Sequence, residues 1–303
     1  MSDKLRNPPP AGVEDAPRRF LLGGQAVDVA KLAPGLHIVA TPIGNLGDIT
    51  LRALEALAGA DVIACEDTRR TRILLDRYGV TAPMVSYHEH NERERAGELV
   101  ARMGAGETVA LVSDAGMPLV SDPGFVLVQA CVAAGLPVEV LPGPSSALAA
   151  LVASGLPGER WRFVGFLPRK RGELGRVLGS TPETLVAFEA PQRLVATLSL
   201  LAEQDPNRPA AVCRELTKVH EEVRRGTASA LAAHYAEHAP RGEVVLVVGA
   251  APPGHGRAEE ALAAVRTLVE AGARPRTAAS VVASLTGTGA NELYRGLTRD
   301  KAE

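Results

Sequence analysis

Three turn-rich segments carry most of the residues whose types and spacing suit chemistry. The first, TPIGNLGD, runs from Thr41 to Asp48. Gly44 and Gly47 let a backbone come close to a ligand, and Pro42 stiffens the turn. The segment has neither the G-x-G-x-x-G dinucleotide fingerprint nor the G-K-[ST] ending of a phosphate-binding loop. It also reads as an ordinary strand-to-helix turn with Asp48 as the helix N-cap, and both readings stand. The second, VSDAGMPLVSDPG, runs from Val112 to Gly124 and contains VSD twice. Asp122–Pro123 reads as an N-cap followed by proline at the first helical position, a structural role. Asp114, with Gly116 and Pro118 behind it, fits neither a helix start nor a hairpin; it reads as a carboxylate for a ribose diol or an ammonium group. The third, LPGPSSALAAL, runs from Leu141 to Leu151. Its Ser145 and Ser146 suit a helix cap, and the free N–H groups of that helix also suit a ligand.

Other charged residues carry weaker signals. His88 and His90, in YHEHNE, lack visible partners for a zinc site or a general base and read as solvated. Arg69, Arg70 and Arg72 crowd one helix, and Arg169, Lys170 and Arg171 follow an FLP turn. Such clusters are ordinary solvated faces; in an enzyme acting on RNA they would be phosphate contacts that position without reading sequence. There is no G-x-S-x-G elbow and no cysteine with a histidine partner, so nothing supports nucleophilic hydrolysis.

These loops need a scaffold, and the chain alternates β-rich runs with helical stretches, the signature of an α/β fold. Order is expected to begin near Leu36. Strands are expected at LHIVA, DVIAC, Met84 to Tyr87, TVALVS and PVEVL, with helices over Ile49 to Leu57, from Glu66 to Gly79, over Asn91 to Met103 and from Ser146. In the second of these helices Ile73, Leu74 and Tyr78 form the expected apolar stripe. GLPGERW reads as a boundary, followed by FVGFLPRKR, strand TLVAFEA, helix QRLVATLSLLAE and strands AAVCREL and EVVLVVGA. After APPGHGR come three expected helices, Ala258 to Ala271, Thr277 to Leu285 and Asn291 to Leu297. The resulting division is a disordered extension over 1–35, α/β lobes over 36–157 and 158–252, and a helical tail over 256–303.

Bulk composition fits that division. The 303 residues are 46% hydrophobic and 22% charged, enough for sizeable cores. Aromatics make up only 3%, so base stacking is not expected to be the main recognition device. A net charge of −2 gives no global attraction to nucleic acid, leaving local basic patches to do that work. Cys65, Cys131 and Cys213 are far apart and odd in number, which argues against a disulfide framework or a zinc ribbon and fits a reducing cytoplasm. No apolar run has the length of a membrane span, and the start of the chain lacks a signal core.

Taken together, LHIVATPIGNLGDITLRALEAL, VIACEDTRRTRILL, VSDAGMPLVSDPG, LPGPSSALAAL, FVGFLPRK and AVCRELTKVHEEVRRGT resemble the tetrapyrrole methylase superfamily of S-adenosylmethionine-dependent enzymes, in the branch that modifies small-subunit ribosomal RNA. The resemblance covers about Leu36 to Ala250, and the tail from Arg257 resembles that branch's helix-turn-helix-like extension. It implies a two-lobed class III methyltransferase fold, a cleft between the lobes for the cofactor, and metal-free methylation of a cytidine 2′-hydroxyl in the decoding region of 16S rRNA. It also implies a cytoplasmic homodimer. TPIGNLGD and VSDAGMP depart from the G-x-G-x-G-D-P and G-G-D-P loops of tetrapyrrole methylases proper, which weighs against a corrin or sirohaem precursor.

Carried over position by position, the resemblance assigns cofactor contacts to Pro42 and Gly44, to Asp114, Ala115, Gly116 and Met117, and to Ser145 and Ser146. From the second lobe it adds Phe188, Glu189, Ala190 and Leu216, with Glu243 near the adenine. A ribose hydroxyl is a weak acid, so a base or cation should assist. Lys218 is the first candidate, as oxyanion stabiliser or, with a depressed pKa, as proton acceptor; Glu66, Asp67 and Glu215 are its rivals, and surface salt bridges are the plain alternative for all of them. A small-molecule tetrapyrrole methylase and a non-catalytic RNA-binding module are the competing functions.

Overall fold

The structure is a computed structural model that describes residues 18–179, 181–251, 255–286 and 288–299. The chain divides into two compact units, Met1–Ser145 and Ser146–Glu303. The described part of the first unit opens with a hairpin, β1 (Arg19–Leu22) and β2 (Gln25–Asp28), paired antiparallel around Gly23 and Gly24. This corrects the expectation that order begins near Leu36. Phe20 is buried in the core and Leu21 donates its N–H to Tyr78 O at 2.7 Å, contacts that no local periodicity announces. Residues 1–17 of the expected disordered extension lie outside the described residues.

Five parallel strands form the first sheet: β3 (Gly35–Val39), β4 (Val62–Cys65), β5 (Met84–Ser86), β6 (Thr108–Val112) and β7 (Val138–Leu141), in the order β5-β4-β6-β3-β7. β3, β4 and β6 are buried at every position, as strands covered on both faces must be. One face packs Val39, Ile63 and Val112 against α1 (Leu51–Gly59) and α2 (Thr68–Arg77); the other packs Ile38, Ala64 and Leu111 against α3 (Glu92–Gly104) and α4 (Phe125–Ala133). β3 and β6 lie side by side, yet their following connections run to strands on opposite sides, to β4 and to β7. That reversal opens a crevice at the carboxyl ends of the strands.

Local details differ from the sequence reading at three points. Thr50, not Asp48, caps α1 by accepting the Ala53 N–H; Asp48 lies in a 3-10 turn, Leu46–Asp48, capped by Asn45. In α2 the buried residues are Thr71, Leu74 and Leu75, while Ile73 is 63% exposed, so the stripe sits one residue round from the expected one. Asp122 does not cap α4. That helix starts later, after Gly124 at φ +136, where a Cβ would lie 2.9 Å from both Leu111 and Leu119 side chains.

The second unit begins with α5 (Ser146–Ser154) and holds a mixed sheet in the order β11-β10-β12-β9-β8. Its strands are β8 (Trp161–Phe166), β9 (Thr184–Glu189), β10 (Pro209–Arg214), β11 (Glu222–Thr227) and β12 (Val244–Val248); β8–β9 is parallel and the other pairs are antiparallel. α6 (Arg171–Gly179), α7 (Pro191–Gln204) and α8 (Ala228–Glu237) cover the face carrying Leu185, Ala187, Val212 and Leu246. β11 and α8 are absent from the sequence reading, because the charged run EEVRRGT, half-buried or exposed throughout, hides an edge strand. The division at Ser145, ahead of GLPGERW, follows from α5 packing on this sheet: Cys213 Sγ donates to Ala150 O at 3.7 Å.

A helical extension follows: α9 (His255–Glu270), α10 (Pro275–Thr286) and α11 (Ala290–Arg299), with their own core of Ala261, Val265, Ala279, Val282 and Leu293. Residues 252–254 of the expected linker lie outside the described residues. Among the described residues no helix is long and apolar enough to cross a membrane.

One glycine tests how tightly the first unit's strand ends are packed. A Cβ on Gly143 would lie 2.8 Å from Ala40 Cβ, so the turn after β7 rests on the end of β3. Gly143→Ala is expected to cost about 1–3 kcal/mol, as overpacking does. A denaturant melt checks it, and unchanged stability would show that the turn yields freely.

Candidate active site

In the first unit, loops leaving neighbouring parallel strands meet at the carboxyl edge of the sheet. The loop after β3 and the loop after β6 are tied together by Thr41 N–H to Gly116 O at 2.8 Å and Gly116 N–H to Thr41 O at 3.1 Å. Thr41 Oγ1 also donates to Ser113 O at 3.0 Å. Gly116 needs its φ of +83, and a Cβ there would touch Ile43 at 3.4 Å and Pro144 O at 3.6 Å, so the loop after β7 joins the same cluster. Farther along the edge, the ends of β5, β4 and β6 border a cavity of about 450 Å³ lined by Glu66, Asp67, Thr68, Arg69, Arg70, Ser86, His88 and Asp114. That volume lies within the range of small-molecule sites, roughly 300–1,000 Å³.

The acidic groups along this edge differ in what they can do. Asp67 caps α2: Arg69 binds its carboxylate through side chain and backbone N–H alike, and holds its pKa down at about 2. Asp114 Oδ1 accepts the Asp67 N–H at 3.1 Å, and Oδ2 lies 3.4 Å from Arg70 Nη1, so it staples the loop after β6 to the loop after β4. Glu66 is the exception. Burial, and then the charge of Asp114, push its carboxyl above the ordinary range, although Arg70 and His88 pull the other way. Beside them Asp122 is raised to about 6 by burial and then by Glu66 and Asp114, against a hydrogen bond from Ser113. Leu119 and Ser121 in the same loop adopt positive φ, +72 and +68, strain of the kind that collects at functional sites.

Asp122 has a consequence for stability. Its folded pKa, about 6, exceeds the ordinary 3.8, so the native state binds the proton more tightly than the unfolded chain does. The contribution of Asp122 to stability is therefore greatest below the unfolded pKa and declines as pH rises to about 6. Asp122→Asn is expected to match the protein near pH 4 and to exceed it at pH 8. After discounting for solvent the gain is on the order of 1 kcal/mol. Melts at the two pH values decide; an equal gain at both would remove the titration as its cause.

The second unit gathers a separate group at the end of β10. Lys218 Nζ binds Glu215 Oε1 at 2.9 Å and Glu243 Oε2 at 3.0 Å, while Glu243 N–H donates to Glu215 Oε1 at 2.8 Å. Glu215 and Thr217 have positive φ, +49 and +67, and the Thr217 hydroxyl is buried without a partner. Burial works against the Lys218 charge, but the two carboxylates outweigh it and the pKa ends up raised. Glu215 is held low by the Glu243 N–H and then by Lys218. Lys218 thus stands as a fixed cation, and the condition for its taking a proton, a depressed pKa, is not met.

Of the other sequence-derived residues, Pro42 and Gly116 are buried, Gly44 and Ala115 exposed, and Met117 and Ser145 half-buried in the first unit. Ser146 opens α5 in the second unit. Phe188 and Ala190 are half-buried there, and Leu216 is buried. Glu189 offers no carboxylate: its side chain is 0% exposed and bound by Thr197 Oγ1, the Ala190 N–H and Arg193. Arg69 and Arg70 line the cavity, and Arg72 lies 4.0 Å from Asp76 instead. Arg169, Lys170 and Arg171 belong to the second unit, where Lys170 faces Glu173 and Arg171 binds Glu203. Sequence reasoning passed over Ser86, His88 and Asp122. His88 is not solvated as expected: it lines the cavity, and its Nδ1 is buried with no partner. Its position just after β5, at the carboxyl edge of the parallel sheet, is the signal that would have found it.

A parallel sheet with chemistry at its carboxyl edge, followed by a mixed sheet with a strained ionic turn, defines a two-unit α/β enzyme. Residues 35–232 match the family model described as Tetrapyrrole (Corrin/Porphyrin) Methylases. The chain is 49% identical over 284 residues to "Ribosomal RNA small subunit methyltransferase I" of Mesorhizobium japonicum, covering 91% of this chain and 96% of that protein. It is 42% identical to the protein of the same name from Escherichia coli O157:H7, over 86% of this chain and 93% of that one. Among solved structures, uroporphyrin-III C-methyltransferase from Thermus thermophilus complexed with S-adenyl homocysteine shares the fold at a TM-score of 0.50 and 23% identity, over 71% and 97% of the two chains. The chain belongs to the tetrapyrrole methylase family and, within it, to the ribosomal RNA small subunit methyltransferase I group.

Proposed function

We propose that this protein transfers a methyl group from S-adenosylmethionine to the 2′-hydroxyl of a cytidine in the decoding region of 16S rRNA. The observation that carries the reading is the pairing, on one sheet edge, of the Thr41–Gly116 loop junction with a polar cavity holding a raised-pKa carboxyl, Glu66, beside two arginines. The methyl donor fits the loop junction: Asp114 offers a carboxylate for an ammonium or a ribose diol, and the backbone of Ala115–Met117 lies on a turn that only Gly116 closes comfortably. When bound, it supplies an electrophilic methyl group.

The chain's own residues supply the rest. Arg69 and Arg70 hold the phosphates flanking the target, which orients the ribose in the cavity without reading its base. Orientation of this kind is worth up to roughly 7–11 kcal/mol of barrier. Glu66 accepts the proton of the 2′-hydroxyl, a role for which Asp67 is too acidic and already bound to Arg69. Lys218, kept cationic by Glu215 and Glu243, is suited to stabilising negative charge, not to removing a proton. Pro42, Gly44, Ser145, Ser146, Phe188, Ala190, Leu216 and Glu243 are the further cofactor contacts implied by the family resemblance.

The protein works in the cytoplasm on the small ribosomal subunit, and pairs with a second copy. Phe125 and Val132 of α4, apolar except for Gln129, with Val140 of β7, leave apolar surface exposed in the first unit, which supports the pairing. Light scattering should then give twice the chain mass of 31.7 kDa.

The test of function is direct. Purified protein and methyl-labelled S-adenosylmethionine are incubated with small subunits lacking the modification, and the RNA is then cleaved with alkali. A methylated 2′-oxygen cannot attack its own phosphodiester, so label in an alkali-resistant dinucleotide is the expected result. Label that is released with alkali-sensitive nucleotides, or transfer to a porphyrinoid in place of RNA, would overturn the reading.

A further inference from the structure

The chain has five phenylalanines, and three of them meet at one place on the second sheet. Phe163 and Phe166 both lie edge-on to Phe188, with ring centroids 5.0 and 5.4 Å away. Residues three apart in a regular strand point to opposite faces. Here a bulge intervenes: Phe163 pairs with Val186 and Phe166 with Phe188, so Val164 and Gly165 together stand opposite one residue of β9. The extra residue, accommodated by Gly165 at φ +64, turns Phe166 onto the face that already carries Phe163 and Phe188. The bulge therefore builds an aromatic surface and does not merely interrupt a strand.

That surface faces outward. Phe166 is 62% exposed although the Phe188 ring, itself backed by Phe163, braces it from the side. Beyond it the chain turns through Leu167 and Pro168, whose carbonyl oxygens accept hydrogen bonds from Arg193 Nη1 at 3.1 Å and Nη2 at 2.6 Å. This anchors the exposed cations Arg169, Lys170 and Arg171 immediately after the aromatic cluster. An open ring braced from one side, next to an exposed cation cluster in which Lys170 lies 3.6 Å from Glu173 and Arg171 pairs with Glu203, offers single-stranded nucleic acid stacking for a base and attraction for its phosphates.

We propose that Phe166, braced by Phe188 with Phe163 behind it, is a stacking platform for an unpaired base of the RNA, with Arg169 and Lys170 on the adjoining phosphates. This rests on the RNA reading above and deepens it by naming single-stranded RNA, with a base turned out of its stack, as what the second unit holds. The composition-based expectation about stacking is qualified accordingly: aromatics are few but concentrated.

The experiment compares the full chain with Phe166→Ala and Phe166→Trp for affinity to a single-stranded oligoribonucleotide of decoding-region sequence and to a fully paired duplex. S-adenosylmethionine affinity and molar mass are measured alongside. Phe166→Ala is expected to weaken single-strand binding at least about fivefold, the lower end for one stacked base. Duplex binding, cofactor affinity and mass should not change, and Phe166→Trp should restore single-strand affinity. The proposal is overturned if Phe166→Ala keeps full single-strand affinity, or if it changes the molar mass instead, which would make the ring a contact between copies. It is also overturned if cofactor affinity falls while RNA affinity does not. A wild-type protein that methylates RNA while the alanine variant binds normally would sink the platform alone; a wild-type protein that binds no RNA would sink the function with it.

Discussion

Replacing Glu66 with glutamine is expected to slow methyl transfer to RNA by about 10²- to 10⁴-fold, the usual contribution of a positioned base. Glutamine keeps the size of the side chain and its place in the cavity, so S-adenosylmethionine affinity and RNA affinity should stay close to normal. The pH profile separates this from a structural effect. In the unaltered protein, activity should rise with pH through the ionisation of Glu66, which burial and then Asp114 have pushed above the ordinary carboxylate range. Above that ionisation the rate should be level, because the basic form is then complete. In Glu66→Gln the rise should vanish along with most of the rate. A variant that keeps the rise would move the proton acceptor elsewhere on the same edge.

Asp114→Ala should fail at an earlier stage, at cofactor binding. The Asp114 carboxylate accepts the Asp67 N–H and lies beside Arg70, so its removal frees two loops at once. It also removes the carboxylate that the loop junction offers to a cofactor's ammonium or ribose. Hydrogen bonds to charged groups contribute about 1.5–3 kcal/mol each, so S-adenosylmethionine affinity should drop by roughly 10- to 100-fold or more. Titration calorimetry reads this directly. RNA affinity should persist, because the cationic contacts on Arg69 and on Arg169 and Lys170 are untouched. Unchanged cofactor affinity would place the methyl donor away from this loop.

These two variants rest on a site that was partly legible before the fold was known. The motif around Asp114 could be read because a carboxylate at the end of a buried strand, followed by Gly116 and Pro118, has no obvious local role, and the structure finds it stapling two loops. The buried parallel strands were also legible, since β3, β4 and β6 are short, mostly apolar runs, whose polar side chains are only His37 in β3 and Thr108 in β6. What escaped depended on distant partners. Asp122 followed by Pro123 has the form of a helix start, yet tertiary packing delays α4 to Phe125 and leaves the carboxyl half-buried near Glu66. His88 looked solvated because nothing in YHEHNE tells which residues sit across the cavity from it. Glu189 sits at a strand end as a ligand contact should, but Thr197 on the next helix holds its carboxylate inward. Hairpin β1–β2 was missed because its pairing is held by contacts to Tyr78 and the first core, well along the chain. The aromatic cluster needed the bulge, and a bulge is invisible in a run such as FVGF until its partner strand is known.

The most direct test is nucleoside mass spectrometry of small-subunit RNA after reaction with this protein and S-adenosylmethionine carrying a heavy methyl group. A heavy 2′-O-methylcytidine from a single decoding-region site is the expected product. Heavy methyl on a nucleobase, or none on the RNA while a tetrapyrrole precursor gains mass, would contradict a cavity in which Glu66 draws the proton from a ribose hydroxyl.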